Sequence, residues 1–221
     1  MGQIGGGAMK ENQKSLLVVG VTGIIGSGKS TFSRFWEELG ARVLNTDRLA
    51  REIMENSTAV RRKIEATFGR DSYDEAGRLN RRKIADWVFR DPEALRRLNA
   101  IVHPEVIRAV RDQIRELAQE GFHGLVVVDA PLIFETGLVQ ILDATVVVAA
   151  SEETCVRRVK ARSGLTEEEV KARLKNQWPL EEKIRRADFV VWNEGSLEQL
   201  KKQAVALFEK LTEKIKDKPK P

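Results

Sequence analysis

The sequence predicts an α/β fold built on a five-stranded parallel sheet. Five short apolar runs are typical of buried strands, and stretches with helical spacing of apolar residues separate each run from the next. Strands that alternate with helices are joined by crossover connections, which produce a parallel sheet with helices on its faces. The predicted strands are residues 16–21, 42–44, 125–128, 144–149 and 189–192.

In chain order, the first strand continues directly into a glycine-rich turn and a helix. Residues 23–30 read Gly-Ile-Ile-Gly-Ser-Gly-Lys-Ser, which fits the G-x-x-x-x-G-K-S pattern of a phosphate-binding P-loop. The glycines let successive backbone N–H groups point into one concavity that binds phosphate oxygens. Lys29 offers a charge to the β- and γ-phosphates, and Ser30 offers a hydroxyl to Mg²⁺. The residues expected to bind the nucleotide are Gly23, Gly26, Ser27, Gly28, Lys29, Ser30 and Thr31.

This pattern predicts the three-layer fold of P-loop NTPases; the alternative is a glycine turn that binds nothing. The helix after the loop is predicted over residues 29–39 and ends at Gly40, which suits a helix C-terminus. The second strand then leads into the longest gap of the chain. Helical spacing there predicts helices at 48–55, 58–68, 81–89 and 92–117, with Pro104 starting a new helix or kinking the old one. An insertion of this size, about 55–117, indicates a small substrate-holding subdomain.

A second helical excursion, about 152–186, follows the fourth strand and is rich in Arg and Lys. Gly164 breaks it, and Thr166 with Glu169 resembles a capping box that opens another helix. A basic pair of helices beside a P-loop is typical of a lid. The core of the single domain (15–215) then comprises 15–54, 118–151 and 187–215, with a leader at 1–14 and a frayed tail at 216–221.

Composition bounds the remaining possibilities. The chain has 221 residues, 42% hydrophobic and 32% charged, with a net charge of +5, and most basic residues alternate with Glu and Asp on helical stretches. That pattern favours solvated helix surface over a nucleic-acid interface. A single cysteine, Cys155, rules out an internal disulfide, and no apolar run approaches the length of a membrane span. The leader lacks the apolar centre of a secretory signal and is expected to be a cloning remnant or a disordered arm, so we expect a cytoplasmic protein.

Strand polarity sorts the acidic residues, because ligands bind beyond the carboxyl ends of parallel strands. Asp47 and Asp129 follow the second and third strands and therefore lie on the P-loop side, as does Asn193 after the fifth. Asp143 and Asp188 precede strands and are expected to be structural.

Two carboxylates on the P-loop side are candidates for chemistry. Asp129 ends an apolar strand, as does the Asp that holds Mg²⁺ directly or through water in P-loop enzymes; the alternative is a turn aspartate. Asp47 can accept the proton of an acceptor hydroxyl. It can also cap the helix that follows, and the two roles are compatible.

Cations for the transferring phosphate are expected on the lid. Arg158 and Arg162 are one helical turn apart, so both can face the same γ-phosphate. His103 lies in an apolar stripe before Pro104, where a core or helix-terminal histidine is the default and a substrate contact the alternative. Neither His103 nor His123 has the neighbours of a metal site.

The motifs together resemble the dephospho-CoA kinase family, over about residues 16–211. Their order and separation carry the resemblance. The motifs are Thr22 to Thr31, Asn45-Thr46-Asp47, His103-Pro104, Asp129 to Glu135, the Arg158/Arg162 pair, Arg173 to Gln177, and Asn193-Glu194-Gly195.

The resemblance implies a fold similar to nucleoside monophosphate kinases, with a CoA-binding insertion and a lid. It implies ATP-dependent phosphorylation of the ribose 3′-hydroxyl of dephospho-CoA with Mg²⁺. Separately, we expect a monomer or small homo-oligomer. Asp47 matches the catalytic aspartate of the family. Arg81, His103 and Asp129 are carried over as contacts to the acceptor, and Asn193 as a contact to the nucleotide.

Three positions depart from the family pattern. Ile24 replaces a glycine of the loop, Asn45-Thr46 precede Asp47 where Asp-Ala is frequent, and Glu194 replaces an asparagine beside the expected adenine pocket.

Other functions remain open at this point. A kinase of another small acceptor, such as a nucleoside monophosphate, would share these motifs. A nucleotide-dependent switch is a second possibility, although the chain has no Asn-Lys-x-Asp motif for guanine. An RNA-associated P-loop protein is a third.

Overall fold

The computed structural model describes residues 16–216, which form two compact units. One unit contains the described residues up to Leu44 and from Gln113 onwards, and the other is Asn45–Asp112. The second unit overlaps the insertion predicted at about 55–117. The predicted leader, and the predicted tail beyond residue 216, lie outside the described residues.

The first unit is built on a five-stranded sheet. Its strands in spatial order are β2-β3-β1-β4-β5, and β1 pairs in parallel with both β3 and β4, as β4 does with β5. The predicted α/β fold with a five-stranded parallel sheet is therefore confirmed. The strands are β1 (Leu16–Thr22), β2 (Arg42–Asn45), β3 (Gly124–Asp129), β4 (Ala144–Ala149) and β5 (Phe189–Trp192).

The central strands are mostly apolar because both faces of the sheet are covered. All seven residues of β1 are buried. Leu17, Val19 and Val21 face a core that includes Phe32 and Trp36. Side chains that alternate with these point to the opposite face, as expected for strands covered on both sides.

Helices connect the strands. Thr166 and Glu169 form the predicted capping box at the start of α8, with Thr166 N donating to Glu169 Oε2 at 2.8 Å and Glu169 N donating to Thr166 Oγ1 at 3.2 Å. Gly164 ends α7 with φ 67°, a left-handed conformation that favours glycine. The helices are α1 (Lys29–Glu38), α2 (Thr46–Asn56), α3 (Thr58–Phe68), α4 (Arg81–Arg90), α5 (Pro92–Gln119), α6 (Ile133–Thr136), α7 (Glu152–Ser163), α8 (Glu167–Leu174), α9 (Leu180–Arg186) and α10 (Leu197–Lys216).

The second unit is helical, and side chains cap the starts of three of its helices. The side chains of Asn45, Ser57 and Asn80 cap α2, α3 and α4 by accepting a backbone N–H of the first turn. Such caps satisfy donors that have no partner within the helix.

Pro104 does not start a new helix, so that one of the two predicted outcomes was wrong; the other, a kink in the helix, stays a prediction. Helix α5 runs through Pro104 without a break. Its apolar stripe continues on both sides of the proline, with Leu98, Val102, Val106 and Val110 all buried. Burial of this stripe outweighs the backbone hydrogen bond that proline removes.

Candidate functional site

The P-loop leaves the carboxyl end of the central strand β1 and turns sharply at two glycines. Gly26 has φ 85°, and a Cβ there would lie 2.5 Å from the carbonyl oxygen of Cys155. Gly28 has φ 97°, and a Cβ there would lie 2.2 Å from Asn193 Nδ2. Only glycine satisfies both the left-handed backbone and the close approach at these positions.

Helix α1 begins at Lys29 with no side chain capping its N-terminus. Uncapped N–H groups and the helix dipole together make this end of a helix a site for anions. Ser30 is exposed and Thr31 is partly exposed in the first turn. The loop therefore combines left-handed glycines with an uncapped helix N-terminus, and nucleotide binding by its residues stays a prediction.

Lys29 and Asp129 lie in contact beside the loop. Asp129 ends β3, the neighbour of β1, and is paired in register with Val21. Its carboxylate is almost fully buried and forms an ion pair with the Lys29 ammonium. The two residues that the sequence assigns to phosphate and to Mg²⁺ therefore share one site.

Asn193 joins β5 to the P-loop. Its side chain is buried, and Nδ2 donates a hydrogen bond to the backbone oxygen of Ser27 at 2.8 Å. Its backbone N–H donates to Ala149 O at 2.7 Å, at the end of β4. A cavity of about 290 Å³ adjoins this residue, lined by Trp192, Asn193, Gly195, Ser196, Gln199, Leu200, Lys202 and Gln203.

The tip of the P-loop packs against the helices that follow β4. Ile24 belongs to a buried apolar cluster with Ala150 and Cys155. Ile25 packs on a second cluster, which contains Val156 of α7 and Val170 of α8. Ile24, the departure from the family glycine, therefore supplies apolar contacts between the loop and this part of the chain.

Of the two predicted lid arginines, Arg158 lies deeper than Arg162. Arg162 is exposed near the end of α7, whereas Arg158 is half-buried and its Nη1 is buried without a hydrogen-bond partner among the described residues. A buried guanidinium nitrogen without a partner is costly, and an anionic ligand would satisfy it.

Glu194 connects the β5 loop to the start of α7. Its carboxylate accepts hydrogen bonds from the backbone N–H of Ser151 and from Thr154 Oγ1, the latter at 2.9 Å. The Ser151 N–H, with the charge of Arg158 as a smaller cause, holds the pKa of Glu194 below its usual value. Glu194, where the family usually has asparagine, thus stabilises the N-terminus of α7.

Asp143 and Asp188 have the structural roles that strand polarity predicts. Asp143 Oδ2 accepts from Val18 N at 2.7 Å, and Asp188 Oδ2 accepts from Thr145 N and Oγ1, both at 2.8 Å. These contacts join neighbouring strands away from the P-loop.

The remaining candidates, Asp47, Arg81 and His103, belong to the second unit. Asp47 is exposed in the first turn of α2, and the capping oxygen there belongs to Asn45, which accepts from Arg48 N at 2.8 Å. Arg81 forms an ion pair with Glu55 at 2.6 Å. Burial lowers the pKa of the His103 imidazole below its usual value. Of these three residues, Asp47 was also a candidate cap of α2. Because Asn45 is the cap, Asp47 does not have that role.

The oxygen atoms around the loop fit Mg²⁺. Within residues 16–216 no cluster of three His, Cys, Asp or Glu side chains could hold a metal by itself. Mg²⁺ bound with a nucleotide needs only one or two protein oxygens, since phosphates and water supply the rest. The exposed hydroxyl of Ser30 and the carboxylate of Asp129 are oxygen donors of this kind.

No helix within residues 16–216 is long and apolar enough to span a membrane.

Sequence reasoning gave no role to Gln177, Glu135 and Lys183, which contact one another or the loop. Gln177 Oε1 accepts the backbone N–H of Ile25 at 2.9 Å. Lys183 is fully buried and pairs with Glu135 at 2.6 Å. A signal for Lys183 was present, because it occupies an apolar helical stripe with Leu180 and Ile184.

The chain is similar to a known protein family over most of its length. The sequence model of the dephospho-CoA kinase family matches residues 17–199. A dephospho-CoA kinase of Syntrophotalea carbinolica is 42% identical over 201 residues, which cover 91% of this chain and 95% of the relative.

Solved structures agree with this match. A Thermus thermophilus protein of known crystal structure is 42% identical with a TM-score of 0.74, covering 88% of this chain and 97% of that one. The dephospho-CoA kinase of Campylobacter jejuni is 26% identical with a TM-score of 0.67, covering 90% and 98%.

Proposed function

Because the chain belongs to the dephospho-CoA kinase family, we propose that it transfers the γ-phosphoryl group of ATP to the ribose 3′-hydroxyl of dephospho-CoA. The products are ADP and coenzyme A, so the reaction is the last step of coenzyme A biosynthesis. The observation that carries the proposal is the P-loop at the end of β1, with Lys29 held against Asp129. The expectations of a cytoplasmic protein and of a monomer or small homo-oligomer stay predictions.

The donor nucleotide binds on residues 26–31. Backbone N–H groups of the loop and of the uncapped start of α1 donate hydrogen bonds to the phosphate oxygens. The Lys29 ammonium, already positioned by Asp129, neutralises charge on the β- and γ-phosphates. Asn193 supports the loop through Ser27, and the cavity beside Asn193 is large enough for a nucleobase.

Ser30 and Asp129 would hold Mg²⁺. When bound, the ion supplies charge neutralisation on the phosphates. Ser30 presents its hydroxyl from the first turn of α1, and Asp129 presents its carboxylate from the end of the adjacent strand. Lys29 contributes a second positive charge at the same place.

Asp47 serves as the base. The 3′-oxygen attacks the γ-phosphorus, the bond from that phosphorus to the β–γ bridging oxygen breaks, and the hydroxyl proton passes to the Asp47 carboxylate. The support is its match to the family aspartate and its exposed carboxylate, with Asn45 serving as the cap. Arg81 and His103 are proposed as further contacts to the acceptor, together with Asp129.

Arg158 and Arg162 act on the transferring group. The buried Nη1 of Arg158 lacks a partner among the described residues, so an anionic phosphoryl group would satisfy it. Charge-assisted bonds from guanidinium to phosphate are strong and can be bidentate. Helices α7, α8 and α9, which cover the predicted lid at about 152–186, serve as the lid that excludes water from the reaction.

One assay tests the proposal directly. ADP release from MgATP is followed with dephospho-CoA, AMP, CMP or dTMP as acceptor, and we expect turnover with dephospho-CoA alone. Turnover with a nucleoside monophosphate would instead make the chain a nucleotide kinase. Slow hydrolysis that no acceptor accelerates would favour a nucleotide-dependent switch.

A further inference from the structure

We propose that Lys183 and Glu135 are a positioning pair for the nucleotide site, and that Gln177 transmits their position to the P-loop. The inference rests on the proposed function in one respect, since it takes the P-loop as the nucleotide site.

Lys183 is an unusual residue for its place in α9. Its side chain is fully buried, and Nζ lies 2.6 Å from Glu135 Oε1 and 2.8 Å from the backbone oxygen of Pro131. Burial lowers the pKa of Lys183, although the hydrogen bond and charge of Glu135 oppose that shift. Removing an ammonium from water costs several kcal/mol, and the contacts of Nζ with Glu135 and Pro131 offset part of that cost.

Glu135 connects this pair to the segment before α9. Its Oε1 also accepts the backbone N–H of Trp178 at 2.9 Å. The preceding residue, Gln177, accepts the backbone N–H of Ile25 in the P-loop, also at 2.9 Å. Trp178 is thus hydrogen-bonded to the Glu135 carboxylate, and the residue before it, Gln177, is hydrogen-bonded to the P-loop. A shift of Glu135 would displace Trp178 and hence the Gln177 side chain.

Pro131 connects the pair to the other side of the nucleotide site. Its carbonyl oxygen accepts from Lys183 and also from Thr22 Oγ1, at 3.2 Å. Thr22 is the last residue of β1, directly before the loop. Pro131 follows Asp129 by two residues, and Asp129 is the partner of Lys29. Lys183 therefore holds both segments from which the phosphate and metal ligands project.

The same position could have been filled without a charge. Leu180 and Ile184 lie on the same stripe of α9, and a buried ion pair often contributes less stability than apolar residues of similar size. Unlike apolar side chains, the pair fixes the positions of particular backbone atoms, because each of its hydrogen bonds has a defined direction and a defined partner atom. That difference makes the inference testable.

The decisive variant removes both charges. In Lys183→Met/Glu135→Leu no buried charge is left unpaired, so we expect thermal unfolding within a few degrees of the unaltered chain. We expect the Kd for a non-hydrolysable ATP analogue with Mg²⁺, measured by calorimetry, to rise about tenfold or more. The exposed pair Lys171 and Glu167 on α8 provides the control Lys171→Met/Glu167→Leu, which should leave both quantities unchanged.

A second variant covers the case in which the double variant does not fold. Gln177→Leu keeps the ion pair and removes only the acceptor for Ile25 N, and it should raise the same Kd severalfold. Combined with the double variant, it should add little, because both changes release the same contact.

An unchanged nucleotide Kd in a folded double variant overturns the inference, as does an unchanged Kd in Gln177→Leu. Turnover of dephospho-CoA by the unaltered chain is measured alongside. Failure of that turnover, with nucleotide still bound, would contradict the proposed function and leave the calorimetric comparison valid.

Discussion

Gly28 offers a direct test of how the P-loop is built. A Cβ at this position would lie 2.2 Å from Asn193 Nδ2, and the backbone has φ 97°. The left-handed conformation costs a non-glycine residue about 1–2 kcal/mol. Asn193 must also move, which breaks its 2.8 Å hydrogen bond to Ser27 O and leaves buried polar atoms unsatisfied, at a further cost of about 1–3 kcal/mol. Gly28→Ala is therefore expected to lower the free energy of unfolding by about 2–5 kcal/mol.

Gly164→Ala is the matched control. Gly164 has φ 67°, and nothing lies within 4 Å of a Cβ built there, so only the backbone cost of about 1–2 kcal/mol applies. Urea unfolding of both variants measures the difference, expected at about 1–3 kcal/mol. In an Asn193→Ala background the clash disappears, so the cost of Gly28→Ala should fall to that of the control. Equal costs for the two glycines, or a cost independent of Asn193, would refute the reasoning.

Three further predictions concern single side chains. Asp47→Asn should lower kcat with dephospho-CoA by about 10²–10⁴-fold while the Kd of a MgATP analogue is unchanged; near-normal turnover would contradict the base role. Burial raises the pKa of the Cys155 thiol to about 11, so iodoacetamide at pH 7.5 should label it far more slowly in the folded chain than in urea, and equal rates would contradict its burial. The lowered pKa of Glu194 implies a stabilising contribution that is present above its unfolded pKa and is lost as pH falls through the lower folded value. Unfolding measured between pH 5 and 3 should therefore show a smaller loss of stability in Glu194→Gln than in the unaltered chain, and parallel curves would contradict this.

The strands could be predicted closely because burial on both faces leaves a continuous apolar run. Two of the five predicted strands match the observed bounds, and the other three extend by one or two residues. Glycine and capping signals also located helix ends well, as at Gly164 and Thr166. These features depend on local backbone chemistry, which the sequence expresses directly.

Features that depend on distant residues were harder to predict. The continuity of α5 through Pro104 depends on side chains buried along the whole helix, and local propensity alone favoured a break. Lys183 required knowledge of Glu135, a partner 48 residues away. A lysine in an apolar stripe was visible in the sequence, but its partner was not. For the same reason, the contact of Gln177 with the loop followed only from the structure.

The isoleucines at the tip of the P-loop have a consequence for how nucleotide enters. Ile24 and Ile25 are joined to α7 and α8 by apolar contacts, so separating these helices from the loop would expose both side chains to water. That exposure costs about 2–5 kcal/mol, which keeps the separated state to a few molecules in a hundred or fewer. The closed contact between the loop and these helices is therefore the predominant state, and opening of the proposed lid carries this free-energy cost.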